Sequence, residues 1–218
     1  PCYPISIKLK TMKVILISFL LLLLALVSRA QTIDFIKAAP QPDLIEVYGG
    51  SFASGDIDGD GDTDLMMAGQ NPGRLTALYV NDGSGNFTEV EETPFPRTSL
   101  SVTLLEDLDG DGDLDLFFSG NGFNIGAFAH VYLNDGLGGF TLLDNPLLPA
   151  FADYGVGLED VDGDGDADLL ISVITGNDEL LAELYLNDGN ALFTPSGNSA
   201  FIPVKWASVA FIDVENDG

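Results

Sequence analysis

The chain has 218 residues, with 34 acidic side chains against 8 lysines and arginines, and its formal net charge is −26. A polyanion of this kind repels the phosphate backbone, so the composition excludes non-specific binding to nucleic acid, and it also disfavours docking on anionic lipid. The apolar fraction of 46% is too high for a disordered acidic tail. Because there is one cysteine and one histidine, an internal disulfide and a zinc site built from these residues are excluded.

The first thirty residues have the pattern of a few upstream residues followed by a secretory signal peptide. Residues 14–27 form an apolar run, lysines precede it, and small side chains frame a cleavage site after Ala30. The run is shorter than the roughly 20 residues that a membrane-spanning helix needs. We therefore expect a mature chain that has no transmembrane helix and is secreted or held at the cell surface.

From residue 31 to residue 218 the chain is a repeat. Acidic clusters begin at four positions that are 51, 53 and 53 residues apart, namely Asp56, Asp107, Asp160 and Asp213. A second signature, built around Asn-Asp-Gly, follows the first three clusters in phase. It reads LYVNDGSGNFT at 78–88, VYLNDGLGGFT at 131–141 and LYLNDGNALFT at 184–194. Two motifs that keep one spacing indicate a repeat architecture.

Each repeat divides into four short strands. In the second repeat, the apolar residues 101–105 precede the acidic cluster and residues 116–119 follow it. The alternating segment 130–133 leads into Asn-Asp-Gly, which is typical of a tight hairpin turn, and a fourth strand begins at Phe140. The predicted fold class is all-β, with four-stranded antiparallel repeats of about 53 residues that stack as β-propeller blades. Because the chain contains between three and four repeats, we expect a partial ring.

The acidic clusters are predicted metal-binding loops. Each full loop carries aspartate at positions 1, 3, 5, 7 and 9 and glycine at position 6, and none contains lysine or arginine. Two such charges 4 Å apart repel by about 1 kcal/mol in water and by about 4 kcal/mol near a protein surface. Ca²⁺ relieves this repulsion and accepts six to eight oxygen ligands with flexible geometry. The candidate ligands are Asp56, Asp58, Asp60, Asp62 and Asp64; Asp107, Asp109, Asp111, Asp113 and Asp115; Asp160, Asp162, Asp164, Asp166 and Asp168; and, in the truncated fourth loop, Asp213, Glu215 and Asp217.

Within a loop, position 9 is expected to supply the closing carboxylate. Position 7 is expected to donate its backbone carbonyl and to leave its side chain near solvent. An EF-hand is excluded because it needs glutamate at position 12 and flanking helices, whereas position 12 is Met67, Phe118 or Ile171. Mg²⁺ is an alternative ion with stricter octahedral geometry, and a set of solvated acidic turns without metal is the other alternative.

The segments GDIDGDGDTDL, EDLDGDGDLDL and EDVDGDGDADL resemble the calcium loops of FG-GAP and VCBS-type repeats. Such repeats form the blades of the integrin α-subunit propeller and occur in many secreted bacterial proteins. The resemblance covers roughly residues 31–218. It implies that each loop joins the first two strands of a blade and binds Ca²⁺ through the side chains at positions 1, 3, 5 and 9. The fourth loop departs from the pattern, since Glu215 and Asn216 replace aspartate and glycine.

The resemblance implies adhesion or ligand binding at the cell surface rather than catalysis. The connections at the edge opposite the acidic loops vary in sequence, as recognition loops on a scaffold do, and they contain Arg74, Arg97 and Lys205. We expect an extracellular glycan or a surface protein to bind there. These connections are roughly residues 69–75, 90–100, 119–128, 143–155, 174–181 and 195–206.

Two other functions stay open at this point. The alternative is a non-catalytic accessory propeller of a secreted carbohydrate-active enzyme, and the third possibility is a catalytic propeller. A serine-histidine-aspartate site would need His130, the one histidine, but no nucleophile elbow accompanies it. We expect His130 at a surface or edge position and predict that the chain is not an enzyme.

Overall fold

The computed structural model describes residues 44–152, 155–197 and 201–212. The predicted signal peptide, the cleavage site after Ala30 and the fourth acidic loop from Asp213 onward lie outside these residues. Every regular element in the described ranges is a β-strand, and the strands form antiparallel sheets from four-stranded repeats. The predicted all-β class is therefore confirmed. Among the described residues, no helix has the length and apolar character to cross a membrane.

Three repeats of four strands follow one another along the chain. The first repeat contains β1 (Tyr48–Gly55), β2 (Asp64–Asn71), β3 (Gly73–Asn81) and β4 (Phe87–Glu89). The second contains β5 (Thr98–Glu106), β6 (Asp115–Gly122), β7 (Gly126–Asn134) and β8 (Phe140–Leu143). The third contains β9 (Val156–Glu159), β10 (Asp168–Ile174), β11 (Leu180–Asn187) and β12 (Phe193–Pro195). Within each repeat the strands pair in chain order.

The acidic loop joins the first strand of each repeat to the second, as the resemblance implied. In the first two repeats the paired residues at the loop are Gly55 with Asp64 and Glu106 with Asp115. The third strand returns to the same edge, so the Asn-Asp-Gly signature lies beside the acidic loop of its own repeat. We call this side of the repeats the loop edge and the opposite side the far edge.

Two hydrophobic clusters hold successive repeats together. Phe118 and Tyr132 of the second repeat pack in one cluster with Met66 of the first. Phe117, the neighbour of Phe118, packs in the other cluster with Ile171 of the third repeat. Successive side chains of a strand point to opposite faces, so β6 is buried on both faces. Each repeat buries its second face only against a neighbour, which is the expected packing of stacked blades.

The first strand carries a bulge that the hydrophobic pattern does not show. Gly49 and Leu100 stand at the same place, seven residues before their loops, and have left-handed backbone with φ of 57° and 51°. The register with the second strand shifts at both places. Trp206, equally far before the fourth loop, has φ of 52°. The bulge therefore stands at one place in the first two repeats, and it is kept there even where the bulky Leu100 must adopt a strained conformation.

Residues 201–212 continue the stacking beyond the third repeat without regular strand pairing. The N–H of Val204 donates to Oγ of Ser172 at 3.0 Å, and this hydroxyl donates to the Val204 carbonyl at 3.3 Å. Val209 and Phe211 lie so close to Gly157 that a Cβ there would contact both. The segment thus lies against the first two strands of the third repeat, as β5 lies against β1 and β2.

Candidate metal centre

The aspartate at position 1 folds each acidic loop around its own carboxylate. The two oxygens of Asp56 accept hydrogen bonds from the N–H groups of Gly59 at 2.9 Å and Gly61 at 3.1 Å. Asp107 and Asp160 accept the same pair of bonds at 2.8 to 3.0 Å. Gly59 and Gly61 have φ of 75° and 91°, which side chains rarely adopt. The loop therefore needs glycine at position 4 as well as at position 6.

Positions 3 and 5 extend this turn. Oδ1 of Asp58 accepts a hydrogen bond from the N–H of Asp60 at 3.3 Å, and Oδ1 of Asp60 accepts one from the N–H of Asp62 at 2.9 Å. The second and third loops repeat both bonds. Three aspartates two residues apart, at positions 1, 3 and 5, thus hold the loop backbone through their own side chains.

The aspartate at position 9 is buried and ties the loop to the Asn-Asp-Gly turn. Asp64, Asp115 and Asp168 each have 0% of their surface exposed. Oδ2 of Asp64 accepts the N–H of Ile57 at 2.9 Å, and Oδ1 accepts the N–H of Asn81 at 2.8 Å. The equivalent bonds are 3.0 and 2.9 Å long at Asp115 and 3.1 and 2.9 Å long at Asp168. Two backbone donors on one carboxylate fix where this side chain stands in the loop.

Positions 1, 3 and 9 converge in each of the three described loops. One carboxylate oxygen from each of the three residues lies within 4.8 Å of the other two. The three groups are Asp56, Asp58 and Asp64; Asp107, Asp109 and Asp115; and Asp160, Asp162 and Asp168. Position 5 is exposed and outside these groups in all three loops, at Asp60, Asp111 and Asp164. Of the side-chain ligands implied at positions 1, 3, 5 and 9, the structure brings together three per loop.

Position 7 differs from its predicted place near solvent. Asp62, Asp113 and Asp166 are half-buried, more so than the exposed residues at position 5. Their carboxylates lie against the glycine of the Asn-Asp-Gly turn in the same repeat, where a Cβ at Gly83 would collide with Asp62. The turn glycine makes room for the carboxylate, a contact that spacing within the loop alone does not reveal.

Burial and mutual repulsion raise the pKa of the carboxyl group at position 3. For Asp58 the main cause is desolvation, followed by the charges of Asp64 and Asp60. The pKa values of Asp109 and Asp162 are raised in the same way. Burial also raises the pKa of Asp115 to about 6, although its two backbone hydrogen bonds act in the opposite direction. These shifts reflect the cost of holding several negative charges together without a counterion.

The donor set of each loop fits a hard divalent cation. All converging groups are carboxylates, which are the ligands that Ca²⁺ and Mg²⁺ prefer. None of the loops contains a lysine or arginine that would neutralise them. In the first loop Asp56, Asp58 and Asp64 would hold the ion, which would supply charge compensation and a crosslink between the two ends of the loop.

The repeat is shared with a known family. A family model described as an FG-GAP-like repeat matches the chain three times, over residues 56–118, 107–171 and 160–218. The chain belongs to the FG-GAP-like repeat family. Each FG-GAP-like match begins at position 1 of an acidic loop, and the first two matches end in the second strand of the following repeat. No curated protein sequence matches the chain.

One functional element of the FG-GAP-like repeat was missed by sequence reasoning. The Asn-Asp-Gly signature predicts a turn, and Asp82 does cap that turn by accepting the N–H groups of Ser84 at 2.9 Å and Asn86 at 3.2 Å. The asparagine before it has a further role in the second and third repeats, where its side chain reaches the preceding acidic loop. One signal in the sequence points to this role. All three repeats have asparagine at this position, although aspartate or glycine would also form a tight turn.

Basic side chains of the described residues occur at the far edge of the FG-GAP-like repeats. Arg74, at the far-edge start of β3, donates hydrogen bonds to the Gly122 carbonyl at 2.8 Å and to Oδ1 of Asn121 at 3.0 Å. It therefore links the first repeat to the second. Arg97, just before β5, and Lys205 are exposed.

The prediction that His130 lies at a surface or edge position is wrong. The residue is half-buried within β7. Its Nδ1 lies 3.3 Å from the Tyr132 hydroxyl, and its ring centroid lies 4.8 Å from that of Phe128. Desolvation lowers the pKa of the imidazole. The packing of β7 against the first repeat buries this face of the strand, which the sequence of one strand could not reveal.

Proposed function

We propose that the chain is a secreted, calcium-binding repeat module that binds an extracellular ligand for adhesion and has no catalytic activity of its own. The observation that supports calcium binding is the convergence of three aspartate carboxylates in each of three equivalent loops. Membership of the FG-GAP-like family supports the same ion, since the acidic segments resemble the calcium loops of such repeats. The flexible oxygen coordination of Ca²⁺ suits a loop whose carboxylates also hold its backbone.

In this proposal the ion has a structural role. Each loop gathers like charges at the point where the first and second strands meet, so the metal-free loop edge is under electrostatic strain. An ion that binds only the folded loop adds its binding free energy to the stability of the fold. A ligand at 100 times its dissociation constant stabilises a folded protein by about 2.7 kcal/mol per site.

Calorimetric titration and thermal unfolding of the full chain test the calcium sites. We expect Ca²⁺ to bind with measurable heat and to raise the melting temperature, and chelation to reverse the gain. Mg²⁺ is the matched ion, and a smaller gain in melting temperature is expected with it because it demands octahedral geometry. Absence of both heat and stabilisation with Ca²⁺ would contradict the proposal.

The far edge is the proposed ligand surface. In the second repeat the connection between β6 and β7 exposes Phe123 by 61% and Ile125 by 55%. Exposed apolar side chains on a connecting loop are typical of recognition surfaces. The exposed cations Arg97 and Lys205 contrast with the acidic loop edge and favour a ligand with acidic or hydroxyl groups. An extracellular glycan or surface protein is the proposed partner.

Binding to an array of glycans, with Ca²⁺ and with chelator, tests this surface. The variant Phe123→Ser with Ile125→Ser removes the exposed apolar groups of the far edge, and Leu137→Ser, a residue 80% exposed at the loop edge, is the matched control. We expect the double variant alone to lose binding. Equal losses in both variants would contradict a far-edge surface, and binding to a surface protein but to no glycan would assign the partner as protein.

Secretion and the absence of catalysis are separate parts of the proposal. The apolar run and the small residues before Gln31 support secretion, and the amino-terminal sequence of exported protein tests it, with Gln31 expected first. Hydrolytic turnover of glycans or peptides by the purified chain would overturn the proposal that it is not an enzyme.

A further inference from the structure

Asn134 contacts the acidic loops of two successive repeats. Its backbone N–H donates to Oδ1 of Asp115, in the loop of its own repeat, at 2.9 Å. Its side-chain Nδ2 donates to the carbonyl of Ile57, in the loop of the preceding repeat, at 2.8 Å. The N–H of Ile57 in turn donates to Oδ2 of Asp64. An unbroken series of hydrogen bonds therefore joins the buried aspartate of the first loop to that of the second.

The third repeat reproduces this connection. Asn187 donates its N–H to Oδ1 of Asp168 at 2.9 Å and its Nδ2 to the carbonyl of Leu108 at 2.8 Å. The N–H of Leu108 donates to Oδ2 of Asp115 at 3.0 Å. The same four-residue arrangement thus occurs twice, and Asp115 belongs to both copies.

We propose that Asn134 and Asn187 are positioning residues that couple the metal sites of successive repeats, so that occupation of one loop raises the affinity of its neighbour. The proposal rests on calcium binding by these loops. The coupling acts through the second residue of each loop, whose N–H holds the closing aspartate of one site and whose carbonyl receives the asparagine of the next.

The burial of the connecting residues supports this role. Ile57 and Leu108 are each 1% exposed, and Asn134 and Asn187 are 6% and 5% exposed. Hydrogen bonds screened from water are electrostatically stronger than those at a surface, and bonds in a chain strengthen one another. Ordering of one loop by an ion therefore also orders an acceptor on which the neighbouring site depends, which gives positive coupling between the sites.

The corresponding residue of the first repeat, Asn81, makes turn-capping hydrogen bonds that Asn134 and Asn187 lack. Oδ1 of Asn81 accepts hydrogen bonds from the N–H groups of Gly83 and Gly85 in its own turn, each at 3.2 Å. Its Nδ2 donates to the Thr63 carbonyl in its own loop, and Asn134 keeps the equivalent bond to the Leu114 carbonyl at 3.2 Å beside its bond to Ile57. In Asn134 and Asn187 the buried Oδ1 has no hydrogen-bond partner among the described residues. A buried acceptor without a partner destabilises the fold, so contact with the neighbouring repeat prevails over capping of the turn.

The experiment measures the calcium affinity of the first loop by NMR, with the amide of Gly61 as its reporter in the full chain. The affinity is compared with the second loop intact and with that loop disabled by Asp109→Asn. The comparison is then repeated in Asn134→Leu, which keeps the backbone N–H but lacks the side-chain donor, and in Asn81→Leu as the matched control.

We expect Asp109→Asn to lower the affinity of the first loop by about 5-fold or more in the natural chain, which is the lower range of measured coupling. In Asn134→Leu this factor falls towards 1, and in Asn81→Leu it stays unchanged. A merely structural asparagine would lower both affinities and leave their ratio intact. If Asn134→Leu does not fold, Asn187→Leu with Asp162→Asn tests the second and third loops, with Gly112 as the reporter.

Two results would overturn the coupling while leaving calcium binding in place. One is equal affinity of the first loop with and without Asp109→Asn, and the other is a ratio that Asn134→Leu does not change. Absence of any calcium-dependent shift at Gly61 and Gly112 would instead overturn the calcium proposal itself, together with this inference.

Discussion

The carboxylate of Asp62 lies where a side chain on Gly83 would have to stand, so the acidic loop and the Asn-Asp-Gly turn of the first repeat are fitted to each other. The same contact joins Asp113 to Gly136 and Asp166 to Gly189. Gly83 has φ of 72°, and Gly85, two residues later, has φ of 83° with nothing near its missing side chain. The two glycines thus share backbone strain and differ in the contact with the loop.

Gly83→Ala is expected to destabilise the chain more than Gly85→Ala. Each substitution places a side chain in left-handed backbone at a cost of about 1–2 kcal/mol, but only the first one also displaces Asp62. Chemical denaturation with and without Ca²⁺ measures the unfolding free energy of the two variants. Equal losses in the two variants would show that Asp62 moves aside without consequence for the loop.

Asp58→Asn is expected to weaken calcium binding by the first loop more than Asp60→Asn. Asp58 belongs to the converging group, whereas Asp60 is exposed and outside it. Each variant removes one negative charge, and the two positions are only two residues apart. The long-range electrostatic attraction of the ion therefore falls by nearly the same amount in both variants. Calorimetric titration measures the difference, and a greater loss in Asp60→Asn would restore position 5 as a side-chain ligand.

Asp115→Asn is expected to destabilise the chain even when no calcium is present. The buried carboxylate accepts hydrogen bonds from two backbone N–H groups. The amide of an asparagine can accept only one of these bonds, because its NH₂ group would then face the second N–H group. An unsatisfied buried donor costs about 1–3 kcal/mol. The exposed Asp111→Asn is the control, and it is expected to be neutral or slightly stabilising because repulsion falls. Denaturation in chelator measures both, and equal stability of the two variants would contradict the structural role of position 9.

His130 is expected to make the chain less stable below pH 6.5. Desolvation lowers the pKa of its imidazole below the usual 6.5, so between the two values the unfolded chain binds more protons than the folded chain. Stability is therefore retained above pH 6.5 and lost as the pH falls through the folded pKa. The Tyr132 hydroxyl contacts the imidazole ring. Asp144 and His130 line one cavity at the surface of the second repeat.

The measurement is the difference in unfolding free energy between the natural chain and His130→Phe from pH 7.5 to pH 5.5. This difference removes the contribution of the carboxylates, which both chains share. NMR titration of the imidazole gives the folded pKa directly. A folded pKa above 6.5, with stability that rises on acidification, would show that Asp144 outweighs burial.

Spacing along the chain was sufficient to predict the repeats and the order of their strands, and the three converging aspartates of each loop are among its five candidate ligands. These features are local, because Asp56, Asp58 and Asp64 lie on one loop whose glycines set its turn. The exposed place of Asp60, the half-buried side chain of Asp62 and the two-sided role of Asn134 were not predictable in this way. Each depends on a contact with another strand or another repeat, which one repeat read alone does not contain.

His130 and Leu100 are two further residues whose structure depends on packing between repeats and could not be predicted from one repeat. The alternation of β7 does not reveal which face meets the preceding repeat, so the burial of His130 follows from stacking. Leu100 adopts left-handed backbone at the place that glycine holds in the first repeat. The geometry of the neighbouring strands imposes this bulge. Because leucine rarely adopts left-handed backbone, the residue type at this position does not predict it.

The second residue of each acidic loop gives the series of repeats a direction. Ile57 and Leu108 are each 1% exposed, and each accepts a hydrogen bond from the asparagine of the repeat that follows. Contact between two different surfaces is heterologous. A series of heterologous contacts either closes into a ring or continues as an open filament. For an architecture of this kind, a fixed number of repeats per turn is therefore a safeguard against uncontrolled polymerisation as well as a matter of shape.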